Sequence, residues 1–307
     1  MINPKISVGI IGLSVHSADF TEILNAADPN AKGYNSKVVA IYHPKGNADV
    51  EFSEERLQNF SERIIKRGVS TVNSIAEVIE RSDVVMLLTN DGRPHLEQVL
   101  PVLKAGKPVY IDKPLAENLE NVLKIFHEAN HYGVKVFSSS ALRYGTQNTS
   151  IKEGEWVGKL MGAQTYGPAP LQKAHVDLFW DGIHGIESLY SVMGTGCQTV
   201  SRTSTKGTDM VVGKWPGDKL GYFRGIREGK SGFGGTVFGA DGIKSIGKFE
   251  GYQRLVSAID NFFLTGKLPV DPEETIEIYA FMEAADESKR QGGRSIKISD
   301  TINRIKI

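Results

Sequence analysis

The sequence predicts an α/β fold, in which a Rossmann-like domain with a doubly wound parallel sheet precedes an α+β domain with an open, mostly antiparallel sheet. Short strands that are apolar on both faces alternate with helical patterns over the first 140 residues, as in parallel sheets covered by helices. Beyond that point, strand-like segments follow one another across Gly, Asp and Lys turns, which favours an antiparallel sheet. We therefore expect two domains, residues 1–140 and 141–307.

Local patterns predict the elements of each domain, with apolar runs indicating strands and helical spacing or end signals indicating helices. The predicted strands of the first domain are residues 6–11, 38–42, 69–71, 84–88, 108–111 and 134–137, and its helices are residues 17–27, 54–67, 75–81, 94–105 and 119–131. The predicted strands of the second are residues 160–166, 200–205, 210–215, 220–227, 232–239 and 243–249, and the helices in this part of the chain are residues 182–193, 252–264 and 272–290.

Composition narrows the classes of partner. The 307 residues carry 36 basic and 36 acidic side chains, and this neutral balance argues against a nucleic acid or an anionic membrane as partner. The start of the chain lacks a signal-peptide pattern, and no apolar run approaches the roughly 18 residues of a membrane span. The single cysteine, Cys197, cannot form an internal disulfide and is interpreted as structural, so we expect a cytoplasmic protein.

The turn after the first strand is a candidate cofactor site. Dinucleotide-binding turns carry G-x-G-x-x-G so that the backbone can approach a pyrophosphate, and here only the first glycine is present. Small serines replace the other two, and the following helix N-terminus still offers amides to an anion. The alternative is a turn that is capped by Ser17 and binds no ligand. The expected cofactor contacts are Gly12, Leu13, Ser14, Val15 and His16.

Two further strand ends supply candidate cofactor residues. A carboxylate normally follows the second strand and binds the adenosine ribose, but His43 and Lys45 stand there instead. These side chains would favour the 2′-phosphate of NADP, while an exposed turn without a ligand is an equal alternative. Thr89, Asn90 and His95 follow the fourth strand, at the edge where parallel sheets bind their ligands.

Lys113 is the candidate catalytic residue of the first domain. It follows the fifth strand in Asp112-Lys113-Pro114, which puts its amine at the carboxyl edge of the sheet beside Asp112, another candidate cofactor contact. Burial and a second cation would lower the pKa of Lys113 toward neutrality and suit it to proton transfer. Taken alone, a lysine before a proline has a solvated loop position as its alternative.

The second domain carries a candidate acid–base pair. Asp181 and His184 are three residues apart at a predicted helix start, a spacing that allows the carboxylate to orient the imidazole. A purely structural histidine is the alternative. The Cys and His spacings of common zinc sites are absent, so no metal is expected.

These features, in this order along nearly the whole chain, resemble the glucose-fructose oxidoreductase / inositol dehydrogenase / MocA family. The motifs that carry the resemblance are Pro94-His95, Lys104-Ala105-Gly106-Lys107-Pro108-Val109, Asp112-Lys113-Pro114, Gly182-x-His184, Ala258-Ile259-Asp260, Thr265-Gly266-Lys267-Leu268-Pro269 and Glu287-Ser288-Lys289-Arg290. The chain departs from the family pattern at Asp112, which is usually Glu, and at Trp180 and Glu187, which stand where many members carry Asp.

The resemblance implies NAD or NADP as cofactor and a sugar, polyol or related hydroxy/keto compound as substrate. It implies that Lys113 and His184 move the proton of the substrate hydroxyl, and we expect Arg143 and Trp180 to contact the substrate. It also implies a homodimer or homotetramer formed through the antiparallel sheet. Two alternatives remain, namely a redox-neutral sugar enzyme that recycles its bound NAD and a non-catalytic ligand-binding or sensory protein that retains the fold.

Overall fold

The computed structural model describes residues 5–26, 33–152 and 157–307, and the chain divides into two compact units. The first unit contains the chain up to Ala116 together with Leu123–Ser138 and Tyr252–Pro272. The second contains Glu117–Val122, Ser139–Gly251 and Glu273–Ile307. The first unit thus includes Tyr252–Pro272 from the C-terminal half, and the second includes Glu117–Val122 from the N-terminal half. A domain boundary at residue 140 stays a prediction.

The first unit is built on a parallel sheet, as the sequence predicts. Its strands are β1 (Ile6–Ile11), β2 (Ser36–Tyr42), β3 (Ser70–Thr71), β4 (Val84–Leu87), β5 (Val109–Ile111) and β6 (Val136–Phe137). They lie in the order β3-β2-β1-β4-β5-β6, and every neighbouring pair is parallel. All four residues of β4 are buried, as expected where helices cover both faces of a sheet.

Three of the five helices of this part of the chain start at serine caps. The five helices are α1 (Val15–Leu24), α2 (Glu54–Ile65), α3 (Ile75–Arg81), α4 (His95–Lys104) and α5 (Leu119–His131). The hydroxyls of Ser14, Ser53 and Ser74 accept hydrogen bonds from first-turn amides of α1, α2 and α3. Helix α1 therefore begins two residues before its predicted start at Ser17, and its predicted end at Ala27 lies outside the described residues.

The second unit contains a mixed sheet that is mostly antiparallel, which confirms the predicted fold class. Its strands are β7 (Leu160–Pro168), β8 (Thr199–Ser204), β9 (Thr208–Trp215), β10 (Lys219–Ile226), β11 (Gly234–Gly239), β12 (Gly242–Ile246) and β13 (Ile296–Lys297). Their order is β12-β11-β7-β10-β9-β8-β13. Strands β7 and β10 are parallel, and the other described pairs are antiparallel.

The remaining helices cover one face of this sheet or extend the first unit. They are a short 3₁₀ helix (Ala141–Tyr144), α6 (Thr146–Lys152), α7 (Gly182–Met193), α8 (Gln253–Thr265), α9 (Pro272–Arg290) and α10 (Ile298–Asn303). Helix α7 packs closely on the sheet, because a Cβ at Gly185 would lie 2.3 Å from the ring of Phe223. The 3₁₀ helix, α6, α10 and β13 were not predicted, since such short elements carry little periodicity.

A buried carboxylate ties α8 to the start of β2. Asp260, which is 5% exposed, accepts hydrogen bonds from the backbone amides of Ser36 at 2.8 Å and Asn35 at 3.1 Å. It also accepts one from the side-chain amide of Asn35 at 2.9 Å. Hydrogen bonds to a charged acceptor contribute more than neutral ones, so this carboxylate is a strong link between helix and sheet.

Replacement of Asp260 by alanine removes all three bonds and leaves the buried Ser36 amide without its acceptor. We expect the free energy of unfolding to fall by about 2–4 kcal/mol, measured by urea unfolding followed by circular dichroism. Asn261→Ala removes an exposed side chain from the same helix and is expected to cost less than about 0.5 kcal/mol. Equal losses in the two variants would contradict the importance of the Asp260 contacts.

Candidate functional site

The turn between β1 and α1 lies against the end of β4, and a glycine permits this contact. Gly12 has a φ of +102°, and a Cβ there would lie 2.2 Å from the backbone nitrogen of Thr89. The Gly12 amide also donates a hydrogen bond to the Tyr42 carbonyl, at 2.8 Å. The glycine that the sequence retains thus allows the ends of β1, β2 and β4 to meet at the carboxyl edge of the sheet.

Serines replace the other two glycines of the turn and form a capping box. The Ser14 hydroxyl accepts from the Ser17 amide at 3.3 Å, while the Ser17 hydroxyl accepts from the Ser14 amide at 3.1 Å. The cap of α1 is therefore Ser14, and the alternative of a Ser17 cap is wrong. Because the Ser17 amide is satisfied, the first-turn amides of Val15 and His16 are the ones available to a pyrophosphate.

His16 connects this turn to the end of β5. Its Nδ1 lies 2.6 Å from Oδ2 of Asp112, and its Nε2 lies 3.1 Å from the Tyr252 hydroxyl. Burial acts to raise the pKa of Asp112, but the attraction and hydrogen bond of His16, together with the charge of Lys113, lower it to about 2. Asp112 is thus a buried anion that fixes the ring of His16, a contact that the sequence did not predict.

Four of the predicted cofactor residues line one cleft. Leu13, His43, Thr89 and Asn90 lie in its wall, together with Pro44, Gly46, Asn47, Val50, Glu51 and Asp91. Lys45 is exposed and is not among these lining residues. In the described part of the chain, Nδ1 of His43 is buried without a hydrogen-bond partner, and burial lowers the pKa of the ring. A buried polar atom that needs a partner, beside a cleft at the strand ends, marks this cleft as the candidate nucleotide site.

His95 lies behind the cleft and contacts the backbone, while its predicted contact with the cofactor stays a prediction. It is fully buried, and its ring nitrogens lie 2.9 Å from the Thr89 carbonyl oxygen and 3.2 Å from that of Leu115. Burial lowers the pKa of this histidine. In its neutral form, His95 donates a hydrogen bond from one ring nitrogen to one of these carbonyls, which engages the side chain with the backbone beside the cleft.

Lys113 stands at the sheet edge that the sequence predicted for it. It follows β5 directly after the buried Asp112, its side chain is half-buried, and its peptide bond to Pro114 is cis. The positive charge of Lys113 contributes to the lowered pKa of Asp112. Lys113 thus follows its strand at the same carboxyl edge of the parallel sheet as the turn at Gly12.

In the second unit, His184 lies in the first turn of α7, as predicted. Its backbone amide donates to the Asp181 carbonyl at 3.1 Å, and its Nδ1 lies 2.7 Å from the hydroxyl of Ser140. Ser140 is a partner of the ring that sequence reasoning missed, and the orienting role expected for Asp181 stays a prediction. The only local signal was the run of serines at 138–140, which follows the sixth strand. Trp180 is half-buried and packs against His175, with ring centroids 5.1 Å apart.

Arg143 is engaged by two acids, and its expected contact with substrate stays a prediction. Its Nε donates to Glu187 at 2.7 Å, and its Nη1 lies 2.6 Å from an oxygen of Glu274. Burial raises the pKa of Glu187, although the charge of Arg143 opposes this. Because a buried guanidinium needs such partners, Arg143 joins the 3₁₀ helix to α7 and α9.

Two classes of feature are missing from the described residues. Within residues 5–26, 33–152 and 157–307, no group of three or more His, Cys, Asp and Glu side chains is placed to hold a metal ion. No helix in the same part of the chain is both long and apolar enough to cross a membrane.

Comparison with known proteins finds a family similar to residues 6–140. The model of an oxidoreductase family with an NAD-binding Rossmann fold, Gfo/Idh/MocA, matches residues 6–140. Residues 6–140 of the chain are therefore similar to the NAD-binding Rossmann domain of the Gfo/Idh/MocA oxidoreductase family. A curated relative, inositol 2-dehydrogenase 3 of Saccharopolyspora erythraea, is 36% identical over 88 residues. That match covers 28% of this chain and only 26% of the relative, so the chain spans about a quarter of its length.

Solved structures resemble nearly the whole chain. A probable dehydrogenase from Thermotoga maritima has a TM-score of 0.78 at 21% identity, covering 96% of this chain and 100% of that one. A scyllo-inositol dehydrogenase from Lactobacillus casei, with bound NAD(H) and scyllo-inositol, has a TM-score of 0.74 at 13% identity, covering 96% and 99%. At these identities the likeness shows that the fold is shared along both units.

The lowered pKa of Asp112 gives a pH-dependent contribution to stability. A carboxylate with a pKa of about 2 in the folded chain, against a usual value of 3.8, contributes about 2 kcal/mol above about pH 4. This contribution is lost as the pH falls through about 2. We expect Asp112→Asn to lower the free energy of urea unfolding near neutral pH, with a smaller difference from the unchanged protein at about pH 3. A difference that is independent of pH would contradict the His16–Asp112 pairing.

Proposed function

We propose that the chain is a nicotinamide-dependent oxidoreductase that moves a hydride to or from a sugar, polyol or related hydroxy/keto compound. One observation carries the proposal: Leu13, His43, Thr89 and Asn90 line one cleft at the carboxyl ends of parallel strands, where Rossmann sheets bind nucleotides. The family match over residues 6–140 supports it. We assign nucleotide binding to residues 1–140 and substrate binding to residues 141–307.

The chain's own residues would hold the cofactor, NAD or NADP, at two places. The amides of Val15 and His16 would take its pyrophosphate at the N-terminus of α1, and His43 and Asn90 would meet its adenosine part. When bound, the nicotinamide supplies or accepts the hydride. The protein must then move the proton that accompanies hydride transfer at a hydroxyl or carbonyl group.

Lys113 is the proposed proton-transfer residue of the first unit. It directly follows the buried Asp112 at the carboxyl edge of the parallel sheet. His184 is the proposed proton-transfer residue of the second unit. Ser140 engages Nδ1 of His184, so we propose Ser140 as the residue that positions this imidazole. Trp180 is proposed to contact the substrate.

The comparisons make cyclic polyols the first substrates to test. The relative from S. erythraea is named for inositol oxidation, and the L. casei structure holds scyllo-inositol with NAD(H). Oxidation of a secondary alcohol of such a ring releases one hydride and one proton, which matches a nucleotide cleft combined with proton-transfer side chains. We therefore propose an inositol or a related sugar as the substrate class.

Lys113→Ala removes the proposed proton-transfer amine. We expect turnover of the best substrate from a panel of inositols and sugars to fall about 10²–10⁴-fold, measured by NADH absorbance. NAD binding, measured by calorimetry, is expected to persist, because the cleft does not include Lys113. Lys104→Ala, which removes an exposed lysine at the end of α4, is the matched control and is expected to retain full turnover. Full turnover in Lys113→Ala would exclude this role.

We also propose that the second unit pairs with another copy through the open face of its sheet. Leu220 and Arg224 are four residues apart on β10, so their side chains are on the same face of the sheet. Arg224 is the register partner of both Tyr166 and Met210, so these two residues lie on that face as well. Tyr166, Met210 and Leu220 are 42%, 40% and 37% exposed, and the face contains a hollow of about 470 Å³. Grouped apolar side chains of this kind are common at subunit interfaces.

Met210→Arg places a cation in this face. We expect sedimentation velocity to show a dimer or tetramer for the unchanged protein and a shift toward monomer for the variant, because an unpaired buried charge destabilises an interface. Ile65→Arg changes a residue of the first unit that is 54% exposed, and it is expected to leave the assembly intact. An unchanged protein that is monomeric, or a variant that assembles normally, would contradict the proposed interface.

A further inference from the structure

The candidate nucleotide cleft contains a carboxylate, that of Glu51, although no acid directly follows β2. The residues that directly follow β2 are His43-Pro44-Lys45-Gly46, so the usual carboxylate for the ribose hydroxyls is missing from the strand end. Glu51, further along the chain and before α2, lines the same cleft as Leu13 and His43. The chain therefore supplies a carboxylate to this region from the loop and not from the strand.

A glycine in the same loop makes room for this carboxylate. A Cβ at Gly46 would lie 1.6 Å from Oε2 of Glu51, which means that the carboxylate packs directly on the glycine backbone. The other oxygen, Oε1, accepts a hydrogen bond from the amide of Phe52 at 3.1 Å. Glu51 is thus folded back toward the residues that follow β2, where any other side chain at position 46 would displace it.

Among the described residues, Glu51 forms no ion pair, whereas the neighbouring acids Asp49 and Asp91 do. Asp49 and Asp91 both pair with Arg93, at 2.6 Å and 2.7 Å, so their charges are compensated. Within residues 5–26, 33–152 and 157–307, Glu51 has no Lys, Arg or His nitrogen within the 4.0 Å of an ion pair. Its negative charge acts on His43, where it opposes the effect of burial on the pKa. The cleft therefore contains one uncompensated carboxylate beside the end of β2.

We propose that Glu51 is the specificity-determining residue of the nucleotide site and selects NAD over NADP. Its carboxylate accepts hydrogen bonds from the 2′- and 3′-hydroxyls of the adenosine ribose. The 2′-phosphate of NADP carries roughly two negative charges, and it is repelled by the same group. This inference rests on the proposed nucleotide-binding function, and Lys45, which is exposed outside the cleft lining, is the residue that would favour NADP instead.

Calorimetric titration of the whole protein with NAD and with NADP tests this selection directly. We expect the unchanged protein to bind NAD at least about tenfold more tightly than NADP. The Glu51 carboxylate accepts hydrogen bonds from the two ribose hydroxyls of NAD, and it repels the 2′-phosphate of NADP. Glu51→Gln keeps the shape and removes the charge, and it is expected to weaken NAD binding about tenfold and to remove most of the preference. Gly46→Ala displaces the Glu51 carboxylate and is expected to change the preference in the same direction.

A charge-matched control separates this effect from a general change of surface charge. Glu54→Gln removes an exposed acid from the first turn of α2 and is expected to leave both affinities unchanged. Preference of the unchanged protein for NADP, or an unaltered NAD to NADP ratio in Glu51→Gln, would overturn the role of Glu51 while leaving nucleotide binding established. Absence of binding of both nucleotides at millimolar concentration would overturn the proposed function, and this inference with it.

Discussion

The hydrogen bond between His16 and Asp112 joins two segments that are far apart in the sequence and follow strands of the same sheet. It measures 2.6 Å and is buried, so that water does not weaken it. His16 belongs to the first turn of α1, and Asp112 directly precedes Lys113. This contact therefore fixes the candidate phosphate-binding turn and the candidate proton-transfer lysine at one edge of the sheet.

The glycine pattern of the turn is reduced, yet the geometry that such a pattern serves is retained. Gly12 alone provides the positive φ and the close approach to Thr89. Ser14 and Ser17 satisfy each other in a capping box and define the start of α1. The loss of two glycines thus changes how the turn is stabilised, while the helix N-terminus still presents free amides.

Elements with strong local signals were predictable from the sequence, and the contacts between distant residues were not. The bounds of α3, α5, α7 and α9 agree with prediction, because caps and apolar spacing mark their ends. The start of α1 was misplaced, since Ser14 and Ser17 are both good caps and only the folded backbone distinguishes them. Ser140 and His184 are 44 residues apart, and no local pattern relates them. Likewise, no local pattern predicts that Arg143 forms ion pairs with Glu187 and Glu274.

Nucleotide binding at the carboxyl edge of the parallel sheet is the property on which the remaining assignments depend. Titration with NADH, followed by the fluorescence of its nicotinamide ring, measures this property without knowledge of the substrate. We predict saturable binding of one NADH per chain, with a dissociation constant below about 1 mM and competition by NAD. A fluorescence signal that stays linear up to millimolar NADH would contradict nucleotide binding, and with it the oxidoreductase function.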